Sequence, residues 1–475
     1  MGKGREWRAS PISVLRVPRY SDGRHRRSEC LGVTGIRFWL HVRSSTCLHD
    51  EGACAWLQVL ISSAARQALE PESAGCTPSA PPSCSFARGL LSIGALTQAH
   101  LFVGICRALQ ASARSARFRS RATWCVAAAI GFLWTLHAYV VFARLPWVEP
   151  PFIAQVGLLC PAVVWAYGSI LSAVVLFPIR AAGRLGHPFS RVPRRVAVAA
   201  PAVPRDHGRR RVLQAGAAGL ASAPFAIAGY GTASATQAFG LTELSLLFGR
   251  PLRVVHLSDI HAGLYMTHAQ VTHRVDLVHG LQPDLFVVTG DFISNSMSFV
   301  YGCAEALARA RARYGTFAVL GDHEHWYGNP QEVEAVFRAH RVALLNSTHR
   351  VVQTDRGPFA VAGIDDLGHG HADLEAARQG LDASIPTVLL SHYPEIFPQA
   401  ARRRIPLTLA GHWHGGQIRL RLPGLDLSVA HLLTPYIDGL HRLNTSHLYV
   451  TRGIGTAWTP IRLNAPPEVV VLTLT

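Results

Sequence analysis

Apolar residues follow two different rhythms along this chain, one before and one after about residue 236. In the first, long stretches lack charge. Residues 89–109 are apolar apart from Gln98, His100 and Arg107, while 122–143 and 152–179 contain no Asp, Glu, Lys or Arg. Residues 212–235 are also uncharged but rich in Gly and Ala, the weakest of the four. Each reaches the roughly 18–20 residues that carry a helix across about 30 Å of hydrocarbon, so four membrane-spanning helices are expected. In the second rhythm, short apolar runs close on Gly or Ser and then on an acid or an imidazole. Residues 252–257 run into Ser258-Asp259, 285–289 into Gly290-Asp291 and 317–320 into Gly321-Asp322; 388–390 run into Ser391-His392 and 407–410 into Gly411-His412. Helix-like stretches such as 268–281 and 331–339 lie between them. Runs of this length read as buried strands of an α/β domain.

Residues 1–88 show neither rhythm. They are expected to be a disordered extension, or sequence upstream of the true start, and the spacing of Cys30, Cys47, Cys54, Cys76 and Cys84 fits no zinc module. The expected order is therefore an extension (1–88), a membrane region (89–235), a linker (236–250) and the α/β domain (251–475). Of nine cysteines only Cys303 falls in that last part, which excludes a disulfide within it.

The 46 Lys+Arg against 29 Asp+Glu give a net charge of +17, which invites a nucleic-acid partner. Lys3 is the only lysine, and much of the arginine flanks the apolar spans. Arg114, Arg117, Arg119 and Arg121 separate the first two; Arg180, Arg184, Arg191, Arg194, Arg195, Arg205 and 209–211 separate the last two. The positive-inside rule makes both loops cytoplasmic. The chain is thus expected to be a multi-pass protein of the cell membrane with its C-terminal domain on the outer, periplasmic side. Arg209-Arg210-Arg211 and Ala233-Ser234-Ala235 also resemble an export signal with its cleavage site, giving the same side. Topology accounts for the charge, and a nucleic-acid partner is not expected.

The strand-end residues carry the chemistry. In open α/β sheets, side chains just beyond the carboxyl ends of strands converge on the ligand crevice. Asp259 and His261, Asp291, Asp322 with His323 and Glu324, His392, and His412 with His414 would meet there. Mixed oxygen and nitrogen donors without thiolate suit Mn²⁺, Fe or Zn²⁺. The donors outnumber what one ion needs, so two divalent ions are expected, with Asp291 best placed to bridge them.

The ordered set D-x-H, G-D, G-D-H-E, His and G-H-x-H resembles the calcineurin-like metallophosphoesterase superfamily over roughly 250–475. The strings around Asp259 and His412, and the tail from Arg452 to Glu468, resemble its membrane-associated bacterial branch. The resemblance implies a four-layer αββα sandwich. It implies one metal held by Asp259, His261, Asp291 and His414, and a second by Asp291, Asp322, His392 and His412. His323 would be the general acid, and Glu324 would lie behind the ligands and orient an imidazole. The implied activity is hydrolysis of a phosphate ester by attack of a metal-activated water. Phosphodiesters and pyrophosphates are favoured, and membrane tethering points to a lipid-linked substrate. Trp413, Trp326, Tyr327 and Trp458 are read either as an apolar rim near the metals or as ordinary packing.

Asp322 departs from the family pattern, which has Asn there. The added charge should strengthen cation binding while weakening the ion as a Lewis acid. Retained activity is expected; the alternative is a weakened cation or phosphate sensor coupled to the membrane helices.

Overall fold

The computed structural model describes residues 82–142, 150–186, 207–237, 239–457 and 459–475. The expected extension lies outside the described residues up to position 81. Its last residues already belong to helix α1 (Pro82–Gln110). Next come α2 (Ala116–Phe142), α3 (Cys160–Gly186) and α4 (His207–Thr236); a helical turn at Phe152–Ala154 and a π turn at Gln155–Leu159 lead into α3. A Cβ on Gly94 would run into Trp134, and one on Gly168 into Phe225, so α1 lies antiparallel to α2, and α3 to α4.

Apolar side chains fill the inside of this bundle and also cover much of its outside. Gln98, fully buried, accepts from Trp165 Nε1 at 2.8 Å and donates to Ser169, while Phe132, Phe152, Ile153 and Val174 are exposed. Buried polar contacts between helices and apolar outer faces are what a hydrocarbon surrounding favours. By length and composition, among the described residues, one stretch suffices to cross a membrane: the 24 residues Phe152–Val175. The four expected spans coincide with four helices, but three of them fall short of that test. The small-residue triplet 233–235 lies within α4, with Ala235 buried.

Fourteen strands follow. The segment expected to be a linker forms β1 (Gly240–Leu246), which pairs in parallel with the C-terminal strand β14 (Glu468–Leu474). Its burial alternates between half-buried and exposed residues, an edge-strand pattern hidden by its polar positions. The first six-stranded sheet has the order β1-β14-β2-β3-β4-β5, where β2 is Leu252–Leu257, β3 Leu285–Thr289, β4 Thr316–Val319 and β5 Val342–Leu344. The second has the order β12-β13-β9-β8-β7-β6, comprising β6 (Thr348–Val352), β7 (Phe359–Gly363), β8 (Thr387–Leu390), β9 (Leu407–Ala410), β12 (Gly439–Leu443) and β13 (Ser446–Val450). A separate two-stranded ribbon pairs β10 (Leu420–Leu422) with β11 (Leu425–Leu427).

Alternate residues of each central strand face opposite cores. Val254, Leu285 and Val287 of the first sheet meet Val361, Val388 and Leu409 of the second. Val255, Phe286 and Val288 face outward onto α5 (His268–Gly280), α6 (Val300–Leu307) and α8 (Pro330–Ala339). On the far side Ala362 and Leu389 pack under α9 (Leu374–Arg378) and α10 (Phe397–Arg402). The succession is helix, sheet, sheet, helix. Both faces of the central strands are buried, which is why they read as mainly apolar runs.

Candidate metal centre

Strands β2, β3 and β4 run parallel, as do β8 and β9, so their carboxyl ends gather at one edge of the sandwich. Asp259, Asp291 and Asp322 stand just past β2, β3 and β4; His392 follows β8, and His412 and His414 follow β9. Asp322 also opens the short helix α7 (Asp322–Tyr327). Of these and His261, five take left-handed backbone conformations: Asp259 (φ 52°), His261 (48°), Asp291 (54°), His412 (74°) and His414 (50°). Each costs roughly 1–3 kcal/mol in a non-glycine residue, a strain that collects at functional sites. Glycines allow the close approach. A Cβ on Gly411 would collide with Ser258 and Asp259, and one on Gly321 with Asp291.

The side chains form two adjoining groups, Asp259, His261, Asp291 and His414 in one and Asp322, His392 and His412 in the other. In the first, His261 Nε2 lies 3.0 Å from His414 Nε2 and 3.4 Å from Asp291 Oδ2, and His414 Nε2 lies 3.4 Å from Asp259 Oδ1. In the second, His392 Nε2 is 3.4 Å from Asp322 Oδ1 and 3.1 Å from His412 Nδ1. Asp291 joins them, since its Oδ1 lies 3.5 Å from His392 Nε2. His392 donates from Nδ1 to the Thr289 carbonyl at 2.7 Å, which turns Nε2 toward the carboxylates.

The electrostatics are those of a site built for positive charge. Burial works to lower the pKa of His392, yet Asp291 and Asp322 hold it well above its ordinary value. Burial likewise works to raise Asp291, yet the imidazoles of His392 and His323 hold it well below. Burial lifts Asp259 to about 6 and lowers His412 to about 4. It also drives His261 and His414 well down, helped by neighbouring positive charge. Two buried imidazoles disfavouring charge thus aim at one point, and Asp322 Oδ1 is buried without a hydrogen-bond partner. Its nearest positive partner is the His392 imidazole at 3.4 Å, and this gathering of buried oxygen and nitrogen donors fits divalent metals.

His323 and Glu324 lie beside the pair. His323 donates from Nδ1 to the Ser294 carbonyl, and its backbone N–H donates to Asp291 Oδ1 at 3.1 Å. Burial works against its charge, but Asp291, Asp322 and Glu324 raise its pKa overall. Ser294 therefore takes the imidazole-fixing role expected of Glu324. Glu324 instead accepts from the backbone N–H groups of Asp291 (3.0 Å), Phe292 (2.8 Å), Ile293 (3.2 Å) and Gly321 (2.9 Å), fastening two strand-end loops together. Trp326 and Tyr327 both pack on the His323 ring, and Trp413 meets His412 edge-on while donating to Glu395. Trp458 lies outside the described residues.

Sequence reasoning missed several participants. Arg462 is fully buried and donates from Nη2 to His414 Nδ1 at 3.0 Å. Tyr393 stacks on His412 at 3.8 Å, with its hydroxyl 3.5 Å from Asp322 Oδ2. Asp365 and Asp366 follow β7; His325 lies 2.9 Å from Asp365 and His369 3.2 Å from Asp366. The signal was present, because residues 359–364 are another apolar run ending in acid.

With this geometry in place, residues 252–416 match the calcineurin-like phosphoesterase family. Over that stretch the chain is similar to the calcineurin-like phosphoesterases. It is similar to the "transmembrane protein with metallophosphoesterase domain" of Bos taurus (34% identical over 241 residues) and of Danio rerio (31% over 238), each alignment taking in 47% of this chain and 53% of the relative. It is also similar to phosphodiesterase YaeI of Escherichia coli, 28% identical over 275 residues, covering 56% of this chain and 98% of that one. The chain spans about half the length of the first two relatives. Membrane association is suggested by the names of those two and by the apolar stretch Phe152–Val175.

Proposed function

We propose that this protein is a membrane-anchored, metal-dependent phosphoesterase. Its favoured substrates are phosphodiesters or pyrophosphates, with lipid-linked esters foremost. The observation that carries this is the position of Asp291, whose two carboxylate oxygens face the two neighbouring groups of donors. Asp259, His261, Asp291 and His414 would hold one divalent cation, and Asp291, Asp322, His392 and His412 a second. Mn²⁺, Fe and Zn²⁺ suit these donors. Bound there, the cations supply the Lewis acidity that polarises a phosphoryl oxygen and acidifies a water.

The chain's own residues do the rest. His323, held by the Ser294 carbonyl and with its pKa raised by Asp291, Asp322 and Glu324, would give its proton to the departing alkoxide. Trp326 and Tyr327 hold that ring against solvent. Glu324 fixes the loop that carries Asp291.

All four helices are read as crossing the bilayer. The arginines that flank these helices in the sequence carry the reading of a multi-pass protein with the C-terminal domain outside. The name of the Escherichia coli relative supports diester chemistry. Asp322, a carboxylate where the family has an amide, favours the second reading of a weakened cation or phosphate sensor.

Metal analysis of the full chain in detergent, with soluble chromogenic diester and monoester substrates and added Mn²⁺, tests both. Two cations per chain and turnover support the phosphoesterase. Two cations without turnover support the sensor, and no bound metal overturns both.

A further inference from the structure

The β10–β11 ribbon is amphipathic in an unusual way. Its register sets Leu420 opposite Leu427 and Leu422 opposite Leu425, with Arg421 opposite Asp426 between them. Because side chains alternate across a strand, the four leucines share one face and the charged pair the other. The leucine face is open, at 53%, 54%, 41% and 50% exposure for Leu420, Leu422, Leu425 and Leu427. Leu432 and Leu433, just beyond the ribbon, are 84% and 67% exposed. The polar face is the anchored one. Arg419 is buried and bonds Asp426 at 2.6 Å and Asp438 at 2.8 Å, and Arg421 bonds Asp426 at 3.1 Å. An isolated two-stranded ribbon is marginal in water. This one is tied down by its charges while offering leucine to the surroundings, which marks an interaction surface.

Its root shows what it meets. Ile418 bridges Leu463, and Leu463 with Ile461 packs against Gly231 of α4. The backbone N–H of Arg462 donates to the Gly231 carbonyl at 2.9 Å. The neighbouring Tyr230 is 68% exposed and Ile227 is also exposed. The ribbon thus springs from the level at which α4 leaves the bundle, beside an exposed tyrosine of the kind that settles at the edge of a bilayer. It also follows directly from the turn His414–Gly416, so it links the candidate metal centre to that level.

We propose that the leucine face of β10–β11 lies in the interfacial layer of the bilayer and guides a lipid-borne phosphoester to the metal centre. This rests on the phosphoesterase reading for its catalytic part only. Sinking half-exposed leucines into an apolar layer gains roughly 25 cal/mol per Å². Even partial immersion makes the removal of two of them cost at least about tenfold in access.

The test uses the full chain reconstituted in phosphatidylcholine vesicles with acyl chains brominated near the headgroup. A Leu422→Trp variant, after subtraction of the parental signal, should be quenched by these lipids and shielded from aqueous iodide. Quenching by iodide and not by lipid overturns the proposal, and protection from both does so in favour of a protein partner or a second copy. This readout needs no turnover, so it stands apart from failure of the phosphoesterase reading. With turnover present, the Leu422→Ser/Leu425→Ser variant should lower the ratio of vesicle-borne to soluble diester hydrolysis about tenfold, and an unchanged ratio overturns the guiding role.

Discussion

Arg462 reaches the back of His414, with Nη2 3.0 Å from Nδ1. A guanidinium has no lone pair, so Nδ1 must accept, and the proton of the neutral ring sits on Nε2, facing Asp259 and His261. Arg462 also donates to the carbonyls of Gly455, Ala465 and Arg452, closing the C-terminal loop around the imidazole. The usual outer partner accepts a ligand imidazole's second N–H and is worth about 10–100-fold in metal affinity; Arg462 does the reverse and holds the proton on the metal-facing nitrogen. Arg462→Lys, which keeps the charge and loses the fork that pins Nδ1, should lower the Kd of the first cation by about tenfold in calorimetric titration. An unchanged Kd would show that Arg462 serves the fold alone.

His392 predicts how pH acts on the metal-free protein. Its folded pKa is raised above 6.5, so its contribution to stability is full below that value and lost as pH rises through the folded pKa. The pKa of Asp291 is depressed below 3.8, so its contribution is full above that value and lost as pH falls through the folded pKa. Chelated protein should therefore lose Tm as pH rises above about 6.5. Metal uptake must expel the proton that His392 carries on Nε2, so Mn²⁺-loaded protein should gain Tm over the same rise. Scanning calorimetry in both states checks this; a chelated Tm that climbs with pH contradicts it.

His323→Ala should lower kcat by about 10²–10⁴-fold on a diester with a poor leaving group and retain both cations. A substrate whose leaving group needs no proton should lose far less. Metal lost from the variant, read by elemental analysis, would make His323 a ligand.

Asp322→Asn keeps a carbonyl donor at the second group and removes one charge. Cation affinity should weaken and turnover should hold or rise, because the ion becomes a stronger Lewis acid. A tenfold fall in turnover with metal still bound would show that the carboxylate is required.

Glu324 accepts four backbone N–H bonds in a fully buried place, so Glu324→Ala leaves four donors without partners. At about 1–3 kcal/mol for each unsatisfied group, the C-terminal domain should lose several kcal/mol in denaturant unfolding. A loss under about 1 kcal/mol would mean that water replaces the carboxylate.

Much of this was written locally in the chain. Residues 252–257, 285–289 and 407–410 were legible as strands with their true limits, because these central strands are buried on both faces and the runs are mainly apolar, with Arg253 and His256 the ionisable exceptions. β1 was not, since an edge strand carries polar residues such as Thr242 and Glu243 and resembles a linker. Six of the candidate ligands stand just past strand ends, and His261 completes D-x-H, so local pattern exposed them. Arg462 lies in a loop, where no periodicity marks it; its role arises from a fold that returns residues 452–465 beneath His414. Glu324 stood in plain view beside His323, but its partners are backbone groups supplied by a different loop.

The step from α4 to β1 is short, Thr236 to Gly240, and Gly231 is bonded directly into the loop that holds Arg462. A domain joined in this way has almost no leash. It cannot swing out to sample the surrounding solution or a facing membrane, so its working radius is its own footprint. On the lipid-linked reading proposed above, molecules would have to diffuse sideways to reach it, and the rate of their lateral travel, more than their bulk concentration, would govern how often the cleft is visited.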